Sequence, residues 1–179
     1  MRPNTPSDNV VHGSRPLLFL DVDGPLLPFG ADPIDLSPNT EPGPARSRLT
    51  HAIGHRLAAL PCELVWATTW EEEANTHLAP LLGLPPLPVV RWPEPTASQI
   101  HEDRWFGLSW KTRTLVTWAA GRPFAWVDDE ITEADREWVA GHHPAPAFLR
   151  QVDCFQGLTD TDFEVLHAWL RTGPARPML

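Results

Sequence analysis

The chain has 179 residues with 23 acidic against 14 basic side chains, a formal charge of −9. That length fits one domain with a sizeable core and leaves two domains cramped. The acidic balance argues against broad, sequence-independent nucleic-acid binding, which relies on Lys and Arg neutralising phosphates, yet allows a small phosphorylated substrate held by a few cations. No apolar stretch reaches membrane-spanning length and residues 1–14 carry no hydrophobic signal segment, so a soluble, cytoplasmic protein is expected. Cys62 and Cys154 form neither a metal-ligand spacing nor a disulfide framework and read as two core thiols.

Residues 1–14 are polar and read as a flexible arm, ahead of a single domain over 15–172 and a short tail over 173–179. The first strand covers about 16–22, with the apolar run Leu17-Leu18-Phe19-Leu20 at its centre. Six prolines, Gly30 and Gly43 between Pro25 and Pro44 predict a long loop that overhangs the end of that strand. A helix is expected at about 45–60 on the stripe Leu49, Ile53, Leu57 and Leu60. Glu63 to Ala67 reads as the second strand, followed by a helix opening at Glu71-Glu72-Glu73 with Thr69 and Glu72 as a capping box. Pro88-Val89-Val90 makes a short third strand, and 91–108, rich in Pro, Trp and His, reads as irregular. Ser109 caps a helix running to about Ala120, with Gly121 closing it. Phe124 to Val127 is the fourth strand, 131–141 a helix, and Ala147 to Val152 the fifth strand. Thr159-x-x-Asp162 then opens a last helix with Phe163, Leu166 and Leu170 turned inward. The alternation predicts a three-layer α/β fold: a Rossmann-like parallel sheet of about five strands with helices on both faces.

The chemistry gathers at the strand ends. A short, fully apolar strand is buried on both faces, and open α/β sheets place ligands beyond the carboxyl ends of such strands. The first strand ends in Asp21-Val22-Asp23-Gly24, the second in Thr68-Thr69 and the fourth in Asp128-Asp129. Paired carboxylates at such a point suit a hard cation, with one carboxylate left over for chemistry. Lys111, at the start of the helix preceding the fourth strand, opposes the helix dipole by up to about 1 kcal/mol. A bound phosphate would turn that cost into a gain.

In this order and at these strand ends, the residues resemble the haloacid dehalogenase-like (HAD) superfamily of phosphohydrolases and phosphotransferases over roughly residues 17–130. The segments L-D-V-D-G-P-L, W-A-T-T-W-E and W-V-D-D-E are similar to a branch related to HAD domains of bacterial RNA-repair proteins. The resemblance implies that Asp21 is the nucleophile, forming an aspartyl-phosphate, and that Asp23 protonates the leaving oxygen and then deprotonates water. It implies Mg2+ held by Asp21, the main-chain carbonyl of Asp23 and Asp128, with Asp129 directly or through water. Thr68 and Lys111 would bind the phosphoryl oxygens, with Thr69 as the alternative to Thr68 if Thr68 caps the helix instead. One departure is Pro25, where the family usually has Thr or Val, since proline removes an N–H and fixes φ in the turn after Asp23.

With 44 residues between Asp23 and Thr68 and 42 between Thr68 and Lys111, each including core elements, the expected protein has no cap or a minimal one. The expected activity is hydrolysis of a phosphomonoester, either a small phosphorylated molecule or a terminal nucleic-acid phosphate. The alternatives are transfer to an acceptor other than water, or a non-catalytic scaffold binding through its Trp- and Pro-rich loops. Arg91, Arg104 and Trp105, with Trp92, His101 and Trp110, are candidates for a substrate rim that stacks on a base or ring, or for ordinary packing. His51 and His55 read as a solvated helix face, His142-His143 as a helix end, and Trp66, Trp118, Trp126, Trp138 and Trp169 as core.

Overall fold

The computed structural model describes residues 15–30 and 50–172. The expected arm, the tail, and 31–49, which hold most of the Pro-rich loop and the expected start of the first helix, lie outside the described residues.

Strand β1 (Leu17–Leu20) has every side chain fully buried, as an apolar strand covered on both faces must. It lies at the centre of a parallel sheet with β2 (Glu63–Trp66), β3 (Phe124–Asp128) and β4 (Ala147–Gln151) in the order β2-β1-β3-β4. Leu20 is level with Trp66 on one side and Val127 on the other, so the three strands end at one edge. The period-two alternation of the strands divides the core. Leu18, Leu20, Trp66 and Val127 face α1 (His51–Ala58), α2 (Ala79–Leu82) and α6 (Asp160–Thr172). Leu17, Phe19, Val65 and Trp126 face α4 (Thr112–Ala119) and α5 (Glu133–His142). This is the three-layer Rossmann-like arrangement expected.

Several elements differ from the sequence reading. The sheet has four strands rather than five, because Pro88–Val90 meets β2 through one bridge, Trp66 to Val89. Pro88 has no N–H to donate, so only its carbonyl (to Trp66 N, 2.9 Å) and the Val90 N–H (to Trp66 O, 2.9 Å) reach the strand. Asn75 clamps that segment instead, taking the Trp66 indole N–H at 3.0 Å and the Leu87 N–H at 2.8 Å on one oxygen. Asn75 lies in a π-helical stretch, Ala74–Leu78, that replaces the regular helix expected after β2. The capping box of Thr69 and Glu72 does not form, since Glu72 pairs with Arg91 and it is Thr68 Oγ1 that accepts the Trp70 N–H at 3.3 Å.

The segment expected to be irregular contains helix α3 (Ala97–Phe106), opened by a capping box of Thr96 and Gln99. None of its residues is buried, so it carries no apolar stripe to betray it. Helix α1 as described begins at His51, with Thr50 extended and capping it. Helix α4 starts three residues after Ser109, whose Oγ accepts the Lys111 N–H at 3.3 Å. The Thr159–Asp162 box forms as expected, with Asp162 Oδ2 taking both the Thr159 N–H and hydroxyl and Arg150 pairing with Asp162 Oδ1 at 2.6 Å. Among the described residues no helix is long and apolar enough to cross a membrane. Both cysteines are free, Cys62 buried and Cys154 half-buried, and burial pushes the Cys62 thiol up to about 12.

Helices α1 and α2 touch backbone to backbone at Gly54, where an added Cβ would lie 1.7 Å from Leu82 O. Helix propensity alone favours Ala over Gly by about 1 kcal/mol, whereas overpacking against backbone costs roughly 1–3 kcal/mol. Gly54→Ala is therefore expected to lower stability by up to about 2 kcal/mol in urea unfolding, the opposite sign from propensity.

Candidate active site

Lys111 brings the strand ends together. It stands at the N-terminus of α4 with no capping side chain, and its side chain reaches the sheet edge. Its Nζ donates to Asp21 Oδ2, one residue past β1, and to Asp128 Oδ2, the last residue of β3, each at 2.7 Å. All three side chains are almost wholly buried. Burial alone would push the ammonium down, but the two carboxylates outweigh it and raise its pKa.

Each carboxylate is held from a second side. Asp21 Oδ1 accepts the Val22 N–H at 2.7 Å. Asp128 Oδ2 takes the Trp126 indole N–H at 3.1 Å, and Asp128 Oδ1 the Glu130 N–H at 2.9 Å. Asp129 joins them: oxygens of Asp21, Asp128 and Asp129 all lie within 4.8 Å of one another. Gly24 makes room for this. Its φ of +85° suits only glycine, and a Cβ there would stand 2.6 Å from Asp129 Cγ.

Three carboxylates and one ammonium leave two negative charges in a largely dry site if all ionise. Desolvation first, then repulsion from Asp128, push Asp21 up to about 7 against the pull of Lys111. Burial first also raises Asp129, with Asp128 and Glu130 adding to it. An all-oxygen donor set with this charge fits a hard divalent cation, which would neutralise the excess.

Asp23 lies apart from that group of three carboxylates. Its Oδ2 accepts the Trp70 indole N–H at 3.0 Å. Pro25 is accommodated in the turn after it, where the Leu26 and Leu27 N–H groups both reach Val22 O and the Gly24 N–H reaches Leu27 O. Thr68 is fully buried at the end of β2, its hydroxyl accepting the Trp70 N–H with its own proton left to donate, while Thr69 is exposed. The turn is tight enough to hold Glu71 at a φ of 44°.

The expected rim residues separate. Arg91 is occupied by Glu71 at 3.0 Å and Glu72 at 2.6 Å. Arg104 and Trp105 sit on α3, with Trp105 79% exposed. His51 and His55 are exposed, and His142 stacks on Trp138 at the end of α5.

Two supporting residues escaped the sequence reading. Trp70 lies inside W-A-T-T-W-E, but nothing in the spacing says that its indole reaches Asp23. Asp135 is fully buried and collects the Ser109 N–H at 2.8 Å, the Thr112 hydroxyl at 2.5 Å, and the Thr132 N–H and hydroxyl at 2.8 Å each. It thereby fixes the turn that carries Lys111. Its signal was the capping pattern Thr132-x-x-Asp135, the same one legible at Thr159.

The chain belongs to the family described as the HAD domain in Swiss Army Knife RNA repair proteins, whose model matches residues 17–163. No curated protein and no solved structure gives a significant match.

The raised pKa of Asp21 has a sign that can be checked. Its folded value, about 7, exceeds the ordinary 3.8, so folding takes up a proton between those values. The contribution is present at low pH and lost as pH rises through about 7. In EDTA, the wild-type Tm is expected to fall between about pH 5 and pH 8, on the order of 5 °C more than that of Asp21→Asn. Added Mg2+ should raise the wild-type Tm at pH 8 more than the variant's. Equal slopes and equal Mg2+ responses would remove Asp21 from the cation site.

Proposed function

We propose that this HAD-domain protein is a Mg2+-dependent phosphomonoester hydrolase that works through an aspartyl-phosphate on Asp21. The observation that carries this reading is Lys111 donating to Asp21 and Asp128 at once, beside Asp129, at the shared edge of three parallel strands.

A phosphoryl group entering there meets the Asp21 carboxylate in line. The Asp21 O–P bond forms as the P–O bond to the leaving alcohol breaks. Asp23, aimed by the Trp70 indole, gives its proton to the leaving oxygen. Water then attacks phosphorus, Asp23 takes its proton, and the Asp21 O–P bond breaks to release phosphate. The Lys111 ammonium and the Thr68 hydroxyl donate to the equatorial oxygens as charge is redistributed over them. Asp21, Asp128, Asp129 and the Asp23 carbonyl would hold Mg2+, which supplies charge neutralisation for the phosphoryl oxygens and keeps Asp21 ionised at neutral pH.

The family's description points to RNA repair, so a terminal RNA phosphate is the leading substrate class. The formal charge of −9 favours contact with a chain end over contact along a backbone. Pro25, the departure from the family pattern, leaves the Gly24, Leu26 and Leu27 N–H groups of its turn paired.

Phosphate release from p-nitrophenyl phosphate and a phosphomonoester panel tests the reading. Turnover is expected with Mg2+, to vanish in EDTA, and to fall at least 1,000-fold in Asp21→Asn. Activity untouched in that variant would place the nucleophile elsewhere. Trp70→Phe keeps the ring and loses the N–H, and kcat is expected to fall about tenfold, with a shifted pH profile and little change in KM.

A further inference from the structure

Beside the strand-end site lies a groove of about 590 Å³, within the range of roughly 300–1,000 Å³ typical of small-molecule sites. Helix α3 forms its outer wall, and Trp92 and Trp110 are among its lining residues. Their rings meet edge to face with centroids 4.7 Å apart, and Trp110 is 46% exposed.

The groove is tied to the site at four points. The Trp92 indole N–H donates to Thr68 O at 2.9 Å, and the Glu130 N–H to Asp128 Oδ1 at 2.9 Å. Ser109 Oγ accepts the Lys111 N–H at 3.3 Å, and Lys111 Nζ lies 5.5 Å from the centre of the Trp110 ring. A group in the groove is thus one residue away from a phosphoryl group on Asp21.

Its charge says what kind of group. Arg113 is taken by Asp103 and Glu102. The other charged lining residues are the carboxylates Glu94 and Glu130 and the single cation Arg104, and among the described residues neither of these two carboxylates pairs with a cation. With two free carboxylates to one cation, the groove disfavours a phosphate-bearing strand. It does not disfavour a neutral flat ring, and carboxylates accept hydrogen bonds from exocyclic amino groups.

We infer that this groove is a subsite for the nucleoside next to the scissile phosphate, stacked on Trp110, with Glu94 and Glu130 favouring amino-bearing bases over uracil. It rests on the phosphohydrolase reading above and names the substrate class of that site. Trp110 stacks as aromatic platforms do, indifferent to sequence, and the two glutamates add the preference.

Two measurements keep the subsite separate from the hydrolase reading. The first is the ratio of kcat/KM for adenosine monophosphate to that for glycerol phosphate, compared between wild type, Trp110→Phe and Trp110→Ala. Taking a ratio cancels any disturbance of Lys111. It is expected to fall about tenfold or more in Trp110→Ala and to be largely rescued in Trp110→Phe. The second is binding of unphosphorylated adenosine, cytidine and uridine to Asp21→Asn, followed by tryptophan fluorescence. Adenosine and cytidine should bind several-fold more tightly than uridine, and Glu94→Gln with Glu130→Gln should erase that difference. If no phosphomonoester is turned over, the hydrolase reading fails while nucleoside binding still decides the subsite. An unchanged ratio, or nucleoside binding indifferent to Trp110, overturns the subsite while the hydrolase reading stands. Turnover of a 5′-phosphorylated oligonucleotide against the mononucleotide then distinguishes an RNA end from a free nucleotide as its source.

Discussion

The buried pairing of Lys111 with Asp21 and Asp128 is the constraint on which the rest of the molecule depends. Two ion pairs at 2.7 Å join β1, β3 and the start of α4, three pieces of chain remote in sequence. Such pairs are poor devices for stability, because the desolvation of each charge offsets much of the attraction, and apolar replacements often do as well or better. Here the balance is worse still, since the third carboxylate leaves the cluster doubly negative if fully ionised. A fold that needed only to be stable, or only to present a surface, has no use for it. The arrangement makes physical sense where a cation and a phosphoryl group meet.

Around that cluster the protein commits its buried polar groups to position. Asp135 gathers four donors to set the turn before Lys111, two from the segment entering α4 and two from the cap of α5. Trp126, buried in the core, turns its N–H outward to Asp128. Trp70 and Trp92 do the same for Asp23 and the Thr68 carbonyl. A chain with nine Trp and no Tyr has thus used several indoles as bulky fillers with one fixed donor each, which suits carboxylates and carbonyls that only accept.

The sequence made the sheet and the contents of the strand ends legible, because both rest on local signals. Four-residue apolar runs mark β1, β2 and β3, and the residues just past each run must lie at the sheet edge. Elements whose stability comes from elsewhere were not legible. Helix α3 buries nothing, so only its cap, Thr96 with Gln99, could have announced it. The π-helical stretch goes with Asn75 reaching back to Trp66 and Leu87, a contact no periodicity encodes. Prolines reduced the third strand to one bridge. At the site, residue types were readable from chemistry, but partners were not. Arg91 read in sequence as a candidate for the substrate rim or for packing, and it is bound by Glu71 and Glu72, which follow β2.

The lack of buried residues in α3 also bears on how the site is covered. A closing domain excludes water and grips the whole substrate, whereas the described residues offer one exposed helix along one side of the site. The proposed hydrolysis needs a water in its second step, which an edge left open by the described residues does not hinder. What openness gives up is discrimination, because a phosphoryl group alone looks the same on every substrate. Selectivity must then come from whatever lies beside the phosphate, and the groove that α3 closes from outside offers aromatic surface from Trp92 and Trp110 and unpaired carboxylates from Glu94 and Glu130. A site that the described residues leave open on its other sides can admit the end of a long molecule while reading only its last residue.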